Sequence, residues 1–167
     1  MNKTNKIIEK AKKIKMLILD VDGVLTDGRL FIGDDGTEYK AFHTQDGLGI
    51  KRLQQLSNVN IAIISGRKSK AVEYRLQDLE VENVFLGHAD KQYAFEELLT
   101  TYSLQPHEVA YAGDDLPDLK IMKQIGLSIA VDNAVDEVKR QADMITIRQG
   151  GAGAVREICD FLIGTQK

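Results

Sequence analysis

Residues 16–26 read Met16-Leu17-Ile18-Leu19-Asp20-Val21-Asp22-Gly23-Val24-Leu25-Thr26. Four apolar residues run without a polar break and end on two acids separated by one residue. An unbroken run of this length, bounded by polar residues and glycine, reads as a strand buried on both faces. Similar runs recur at Ile61-Ala62-Ile63-Ile64, Val84-Phe85-Leu86, Val109-Ala110-Tyr111-Ala112 and Leu127-Ser128-Ile129-Ala130-Val131. Segments of helical periodicity are expected over residues 46–57, 67–79, 90–102, 115–125, 134–141 and 152–163. Strand followed by helix, repeated, predicts an α/β fold: a three-layer, Rossmann-like parallel sheet with helices on both faces.

One stretch breaks the rhythm. Residues 28–43 read GRLFIGDDGTEYKAFH, and runs at 29–32 and 38–42 flank a turn of Gly33, Asp34, Asp35 and Gly36. Asp-Gly between strand-like runs signals a hairpin. It stands where the first helix would normally begin, so it reads either as an insertion beside a site or as a decorative edge hairpin. Between Asp20 and Ser65 only this hairpin and one helix fit, which leaves no room for a large cap domain. No linker or repeat divides the chain, so residues 1–167 read as a single domain.

The totals narrow the function. The chain has 167 residues, 43% of them apolar, enough for a sizeable core, and a net charge of −3 that offers no large basic surface to nucleic acid. The single cysteine, Cys159, cannot form an internal disulfide and lies in a helical apolar stripe with Val155, Ile158 and Leu162, as a core or interface thiol would. The basic N-terminus lacks the apolar stretch of a signal peptide, and no run approaches the ~18 residues of a membrane span. A soluble, cytoplasmic protein without membrane insertion is expected. Ile7, Ile8, Ala11 and Ile14 fit one stripe of a short helix.

In a parallel sheet, ligands bind at the carboxyl ends of the strands. Asp20 and Asp22, at i and i+2, point the same way if the strand stays extended. Two adjacent carboxylates repel unless a cation or shared proton relieves them, and magnesium is the hard partner suited to oxygen ligands. Alone, the pair could be two solvated acids in a loop. Three further features fall at strand ends or helix starts. Ser65 in Ile63-Ile64-Ser65-Gly66-Arg67 offers a hydroxyl beside free N–H groups suited to phosphate oxygens, or a simple N-cap. Lys91 opens a helix, a disfavoured place for a cation unless an anion sits nearby; a solvated lysine is the plainer reading. Ala112-Gly113-Asp114-Asp115-Leu116-Pro117-Asp118 supplies a second acid cluster after a second buried strand.

In order and spacing, Asp20-Val21-Asp22-Gly23-Val24, Ser65, Lys91 and Asp114-Asp115 resemble the four motifs of the haloacid dehalogenase superfamily. The hairpin, Gln45-Asp46-Gly47-Leu48-Gly49-Ile50, Ser65-Gly66-Arg67 and Gly150-Gly151-Ala152-Gly153-Ala154-Val155-Arg156-Glu157 resemble one subfamily, the 3-deoxy-D-manno-octulosonate 8-phosphate phosphatases of lipopolysaccharide precursor synthesis. The resemblance implies a phosphoric monoester hydrolase with Asp20 as nucleophile, Asp22 as general acid and base, and Ser65 and Lys91 on the phosphoryl oxygens. Mg²⁺ would be held by Asp20, the carbonyl of Asp22 and Asp114, with Asp115 and Asp118 as supporting acids.

It further implies substrate contacts at Asp22, His43, Thr44, Gln45, Asp46, Gly47, Lys51, Gly66, Arg67, Arg75 and Lys91. Spacing would place Arg67 and Arg75 on similar faces of one helix. Asparagine is frequent in the subfamily where His43 stands, and arginine where Gln45 and Lys51 stand. The implied partner is a small phosphorylated sugar acid. The implied assembly is a homotetramer in which a neighbour's glycine-rich tail, residues 150–153 here, closes each site; an ordinary loop is the alternative for that tail. A phosphatase for a nine-carbon sugar acid, and more distantly a phospho-receiver domain, are the competing readings. His88 and His107 have no metal-ligand spacing and are assigned nothing.

Overall fold

A computed structural model describes residues 2–166. The first helix, α1 (Lys3–Ala11), is capped by Asn2, whose side chain accepts the Asn5 N–H at 2.9 Å. Its apolar stripe turns inward: Ala11 and the following Ile14 are buried, and Ile7 packs on the core. Lys10 pairs with Asp143 at 2.5 Å, which ties the basic helix to the body.

The predicted buried strands all form. They are β1 (Met16–Leu19), β4 (Asn60–Ser65), β5 (Asn83–Leu86), β6 (Val109–Gly113) and β7 (Leu127–Ala130). Two short strands, β2 (Phe31–Ile32) and β3 (Glu38–Tyr39), make the hairpin, and a two-residue strand β8 (Met144–Ile145) adds an edge that the sequence does not announce. The main sheet is six-stranded and parallel, in the order β5-β4-β1-β6-β7-β8. All four residues of β1 are fully buried, as their unbroken apolar run requires of the central strand.

The helices are α2 (Thr44–Leu56), α3 (Lys70–Asp78), α4 (Lys91–Thr101), α5 (Leu119–Met122), α6 (Asp136–Gln141) and α7 (Ala154–Thr165). From β1 the chain steps outward to β4 and β5, then returns across the sheet to β6 and continues outward to β8. With right-handed crossovers this reversal sends the helices to opposite faces. Accordingly α2 packs against α7, and α4 against α5. The reversal also opens a crevice between the carboxyl ends of β1 and β6, the usual place for a ligand in such sheets.

Three boundaries differ from expectation. The segment expected as one helix over 115–125 is a 3₁₀ turn at Leu116–Asp118, with Pro117 inside it, followed by the short α5. α3 begins at Lys70, so Arg67 stands in the preceding loop and does not share a helix face with Arg75. The hairpin strands span two residues each rather than four or five, paired Phe31 with Tyr39 and Ile32 with Glu38. No large cap accompanies this hairpin among the described residues.

Candidate active site

β1 delivers Asp20 directly past its carboxyl end, and the chain then leaves the sheet in a tight loop. Thr26 N–H closes that loop on the Val21 carbonyl at 3.0 Å. Gly23 turns at φ +92°, where a side chain would be strained, and a β-carbon there would strike the Asp114 carboxylate. Glycine therefore lets the Asp20–Asp22 loop lie against the second acid cluster. Asp20 is buried, and Asp22 stays 21% exposed at its side chain.

Four chain segments meet in one cavity of about 510 Å³. Its walls include Asp20 and Asp22 after β1, Ser65 at the end of β4 with Gly66 and Arg67 beyond it, Lys91 at the start of α4, and Asp114, Asp115 and Asp118 after β6. Ser65 is buried, and its Oγ accepts the Arg67 N–H at 3.3 Å. Lys91, also buried, donates to Asp20 at 2.7 Å and to Asp118 at 2.7 Å. The anion that makes a lysine tolerable at a helix start is thus a pair of carboxylates.

Asp118 is the hub beneath this floor. At 1% exposure its Oδ1 accepts from Lys91 and from the Tyr111 hydroxyl at 2.6 Å, while Oδ2 accepts the N–H groups of Asp114 at 2.9 Å and Asp115 at 3.2 Å. Asp115 caps the same turn by accepting the Leu116 N–H at 2.7 Å. Burial pushes the Tyr111 phenol well above its usual range, aided by the charges of Asp118 and Asp20, so it stays a donor.

Electrostatics mark the site as short of positive charge. Burial raises Asp20 to about 6, with Asp118 adding to the rise and Lys91 opposing it. Burial raises Asp114 further, to about 8, reinforced by Asp20, Asp118 and Asp115. Lys91 pays for its own burial with two carboxylate partners, and the net effect holds it above the usual lysine range.

Oxygens of Asp20, Asp114 and Asp118 lie within 4.8 Å of one another, close enough to share a cation. The donor set fits magnesium, which takes carboxylate oxygens and keeps several waters. Asp20 and Asp114 suit it best, because both oxygens of Asp118 are already engaged.

The remaining expected residues divide between the cavity and its surroundings. Gly66 and Arg67 line the cavity; His43, Thr44, Gln45, Asp46, Gly47, Lys51 and Arg75 do not. His43 caps α2, its Nδ1 accepting the Gln45 N–H at 3.2 Å. Thr44 is exposed, and Gln45 borders a separate hollow with Arg148 and Arg156. Asp46 turns toward α7. Buried at 2% exposure, it accepts the N–H groups of Gly153 at 3.3 Å and Arg156 at 2.8 Å, and so serves the start of α7. Gly47 packs against Arg75, which pairs with Asp78 at 2.8 Å, and Lys51 faces Glu80 at 3.9 Å.

Two residues escaped the sequence reading. Tyr111 sits in an apolar run and gives no sign of its polar end. Lys40, from the hairpin, turns a fully enclosed side chain onto Asp22.

Comparison with known proteins agrees with this geometry. The profile of the haloacid dehalogenase-like hydrolases matches residues 83–158. The chain is 46% identical to the 3-deoxy-D-manno-octulosonate 8-phosphate phosphatase of Salmonella typhi, over 96% of this chain and 85% of that protein. The Escherichia coli K12 enzyme of the same name matches to the same extent. Among solved structures, the Yersinia pestis phosphatase of that name superposes with a TM-score of 0.95 at 44% identity, covering 97% of this chain and 87% of that one. The Moraxella catarrhalis phosphatase, solved with a magnesium ion, a phosphate ion and a KDO molecule, gives 0.93 at 42% identity, covering 97% and 92%. A cavity assembled from these acids, hydroxyl and lysine, on a fold shared along nearly the whole chain, places the protein: it belongs to the haloacid dehalogenase-like hydrolases, in the family of 3-deoxy-D-manno-octulosonate 8-phosphate phosphatases.

Proposed function

We propose that this chain hydrolyses 3-deoxy-D-manno-octulosonate 8-phosphate to the free sugar acid and inorganic phosphate, in lipopolysaccharide precursor synthesis in the cytoplasm. The observation that carries the reading is the single cavity joining Asp20, Asp22, Ser65, Lys91 and Asp114 from four chain segments.

The Asp20 carboxylate attacks phosphorus, and the bond from phosphorus to the sugar oxygen breaks. Asp22 gives its proton to the departing alkoxide. Water then attacks the aspartyl-phosphate, Asp22 takes a proton from that water, and Asp20 is released with inorganic phosphate. Lys91, fixed between Asp20 and Asp118, and the Ser65 hydroxyl serve the phosphoryl oxygens, where negative charge must be held as bonds exchange. Asp20, Asp114 and the carbonyl of Asp22 would hold magnesium, which would supply the positive charge that lets a dianionic phosphate approach a carboxylate. Asp118 acts from below by holding Lys91 and the Asp114–Asp115 backbone.

Arg67 is the substrate contact best placed at the cavity wall. His43, Gln45, Lys51 and Arg75 would act from its surroundings, in an assembly of four copies through the exposed apolar hairpin. Among the described residues no helix is long and apolar enough to cross a membrane, in keeping with a soluble substrate.

The test is phosphate release, with magnesium, from the eight-carbon sugar acid phosphate against nine-carbon acids and neutral sugar phosphates. A strong preference for the eight-carbon acid is expected. Faster turnover of a nine-carbon or neutral sugar would keep the chemistry and overturn the substrate.

A further inference from the structure

Lys40 lies on the hairpin, where Phe31, Ile32 and Tyr39 are exposed and a lysine would be expected to reach into water. Its side chain is instead completely enclosed. Nζ donates to Asp22 Oδ1 and lies 3.4 Å from Glu38 Oε1. Glu38 Oε2 accepts from Arg67 Nη2 at 2.5 Å, and Arg67 Nε lies 3.7 Å from Asp22 Oδ2. The four side chains close a ring of alternating charge: Asp22, Lys40, Glu38, Arg67 and back to Asp22. Asp22 and Arg67 line the cavity; Lys40 does not. Lys40 therefore reaches Asp22 from outside the substrate space.

Resting on the phosphatase reading above, we propose that Lys40 is a positioning residue for the reaction, with Glu38 holding it in place: it fixes the rotamer of Asp22 for proton transfer. The two oxygens of Asp22 are held unequally. Lys40 is hydrogen-bonded to Oδ1, whereas the Arg67 Nε distance to Oδ2 is too long for a hydrogen bond. Oδ2 thus has no close donor among the described residues and is the oxygen able to carry the proton to the leaving alkoxide and to receive one from water. A side chain in a loop, next to a glycine with positive φ, has little else to fix it. Proton transfer in the transition state needs the acid within hydrogen-bond reach of the leaving oxygen, so a loose rotamer costs rate rather than affinity. The hairpin thereby contributes to the chemistry of its own site.

The experiment compares Lys40→Met, Lys40→Arg and Glu38→Gln on two substrates, each with magnesium. One is the sugar acid phosphate, whose alkoxide needs a proton to leave. The other is para-nitrophenyl phosphate, whose phenolate leaves without one. For both, kcat/KM reports the steps up to phosphoryl transfer. Lys40→Met is expected to lower kcat/KM for the sugar phosphate on the order of 10–100-fold, through kcat with KM within about twofold. The nitrophenyl ester should lose less than about threefold, and Lys40→Arg should restore most of the loss. Equal losses on both substrates, a loss confined to KM, or no loss overturns the proposal. Melting curves establish that each variant is folded. If Lys40→Met does not fold, Glu38→Gln carries the test: the same split at smaller amplitude supports the proposal, and its absence refutes it. Wild-type protein inactive on both substrates would overturn the phosphatase reading itself, an outcome distinct from any of these.

Discussion

Asp118→Asn removes one negative charge and changes almost no volume, and its consequences decide whether Asp118 is a cation ligand or a strut. Its two oxygens serve four donors: Lys91 and Tyr111 on one, the N–H groups of Asp114 and Asp115 on the other. An asparagine offers one acceptor oxygen and one NH₂ group: with the oxygen toward Lys91 and Tyr111, the NH₂ faces the two backbone N–H donors, and when flipped it faces the Lys91 ammonium while the Tyr111 hydroxyl can turn to accept. Stranding buried donors costs roughly 1–3 kcal/mol each. Breaking one side of a buried ion pair costs about 3–5 kcal/mol when it leaves a charge unpaired; here Lys91 keeps Asp20 at 2.7 Å, which limits that part. Losing the charge also relieves Asp20 and Asp114, both raised in part by Asp118, a smaller favourable effect. The balance is a net loss of about 3 kcal/mol, or roughly 10 °C in Tm for a chain of this size.

The assay is thermal unfolding in EDTA, repeated across a magnesium titration, since a ligand that binds only the folded state raises Tm with concentration. A strut predicts a lower Tm in EDTA and a magnesium-induced rise that persists. The alternative comes from the same geometry, because Asp118 lies within 4.8 Å of Asp20 and Asp114. If it were a ligand as well, the EDTA melt would fall alike, but the magnesium-induced rise would vanish. That result would refute the assignment.

Asp20→Asn should reduce turnover on the order of 10⁴-fold or more while the protein still melts cooperatively; near-normal activity would remove Asp20 as nucleophile. The pH dependence follows from Asp114, raised from 3.8 to about 8, and from Asp20, raised to about 6. Because the folded state holds these protons more tightly than the unfolded chain, their contribution to metal-free stability is complete below the unfolded value and is lost as pH rises through the folded ones. Magnesium requires the ionised carboxylates, so its effect on Tm should grow between about pH 5 and pH 8; an equal effect at both ends would contradict this. In the proposed four-copy assembly, Phe31 and Ile32, 50% and 64% exposed on the hairpin, would hold the copies together. Phe31→Asp with Ile32→Asp should lower a parent mass of four copies seen by light scattering; an unchanged multimeric mass would move the interface elsewhere, and a monomeric parent would overturn the assembly.

The sheet was legible because its strands are unbroken apolar runs, and a parallel strand buried on both faces has no other way to be written. β8 was not, since Met144 and Ile145 lie at the edge, half-exposed, in a run too short to stand out. Arg67 was placed on a helix because periodicity cannot show that the chain delays its turn until Lys70. Asp118 could have been ranked higher. An acid three residues after Asp115, with Pro117 between them, is the pattern of a capped first turn, and the structure shows both halves of that cap. The cap that Asp46 gives to the start of α7 was not legible either, because it joins residues more than a hundred positions apart.

Lys91 and Lys40 show why the rest could not be read. Each is a lysine that local pattern assigns to solvent, one at a helix start and one on an exposed hairpin. Both are enclosed, and each is held by two carboxylates brought from distant segments: Asp20 and Asp118 for Lys91, Asp22 and Glu38 for Lys40. The two lysines divide the acids of the first loop between them. Lys91 occupies Oδ1 of Asp20, the proposed nucleophile, and Lys40 occupies Oδ1 of Asp22, the proposed acid–base, which leaves Oδ2 of each for the proposed chemistry. Among the described residues Asp114 receives no such partner, and it is the carboxyl pushed furthest from its ordinary value. A carboxylate left without a protein cation, beside two whose cations are already supplied, is where an added divalent ion lowers the electrostatic energy most.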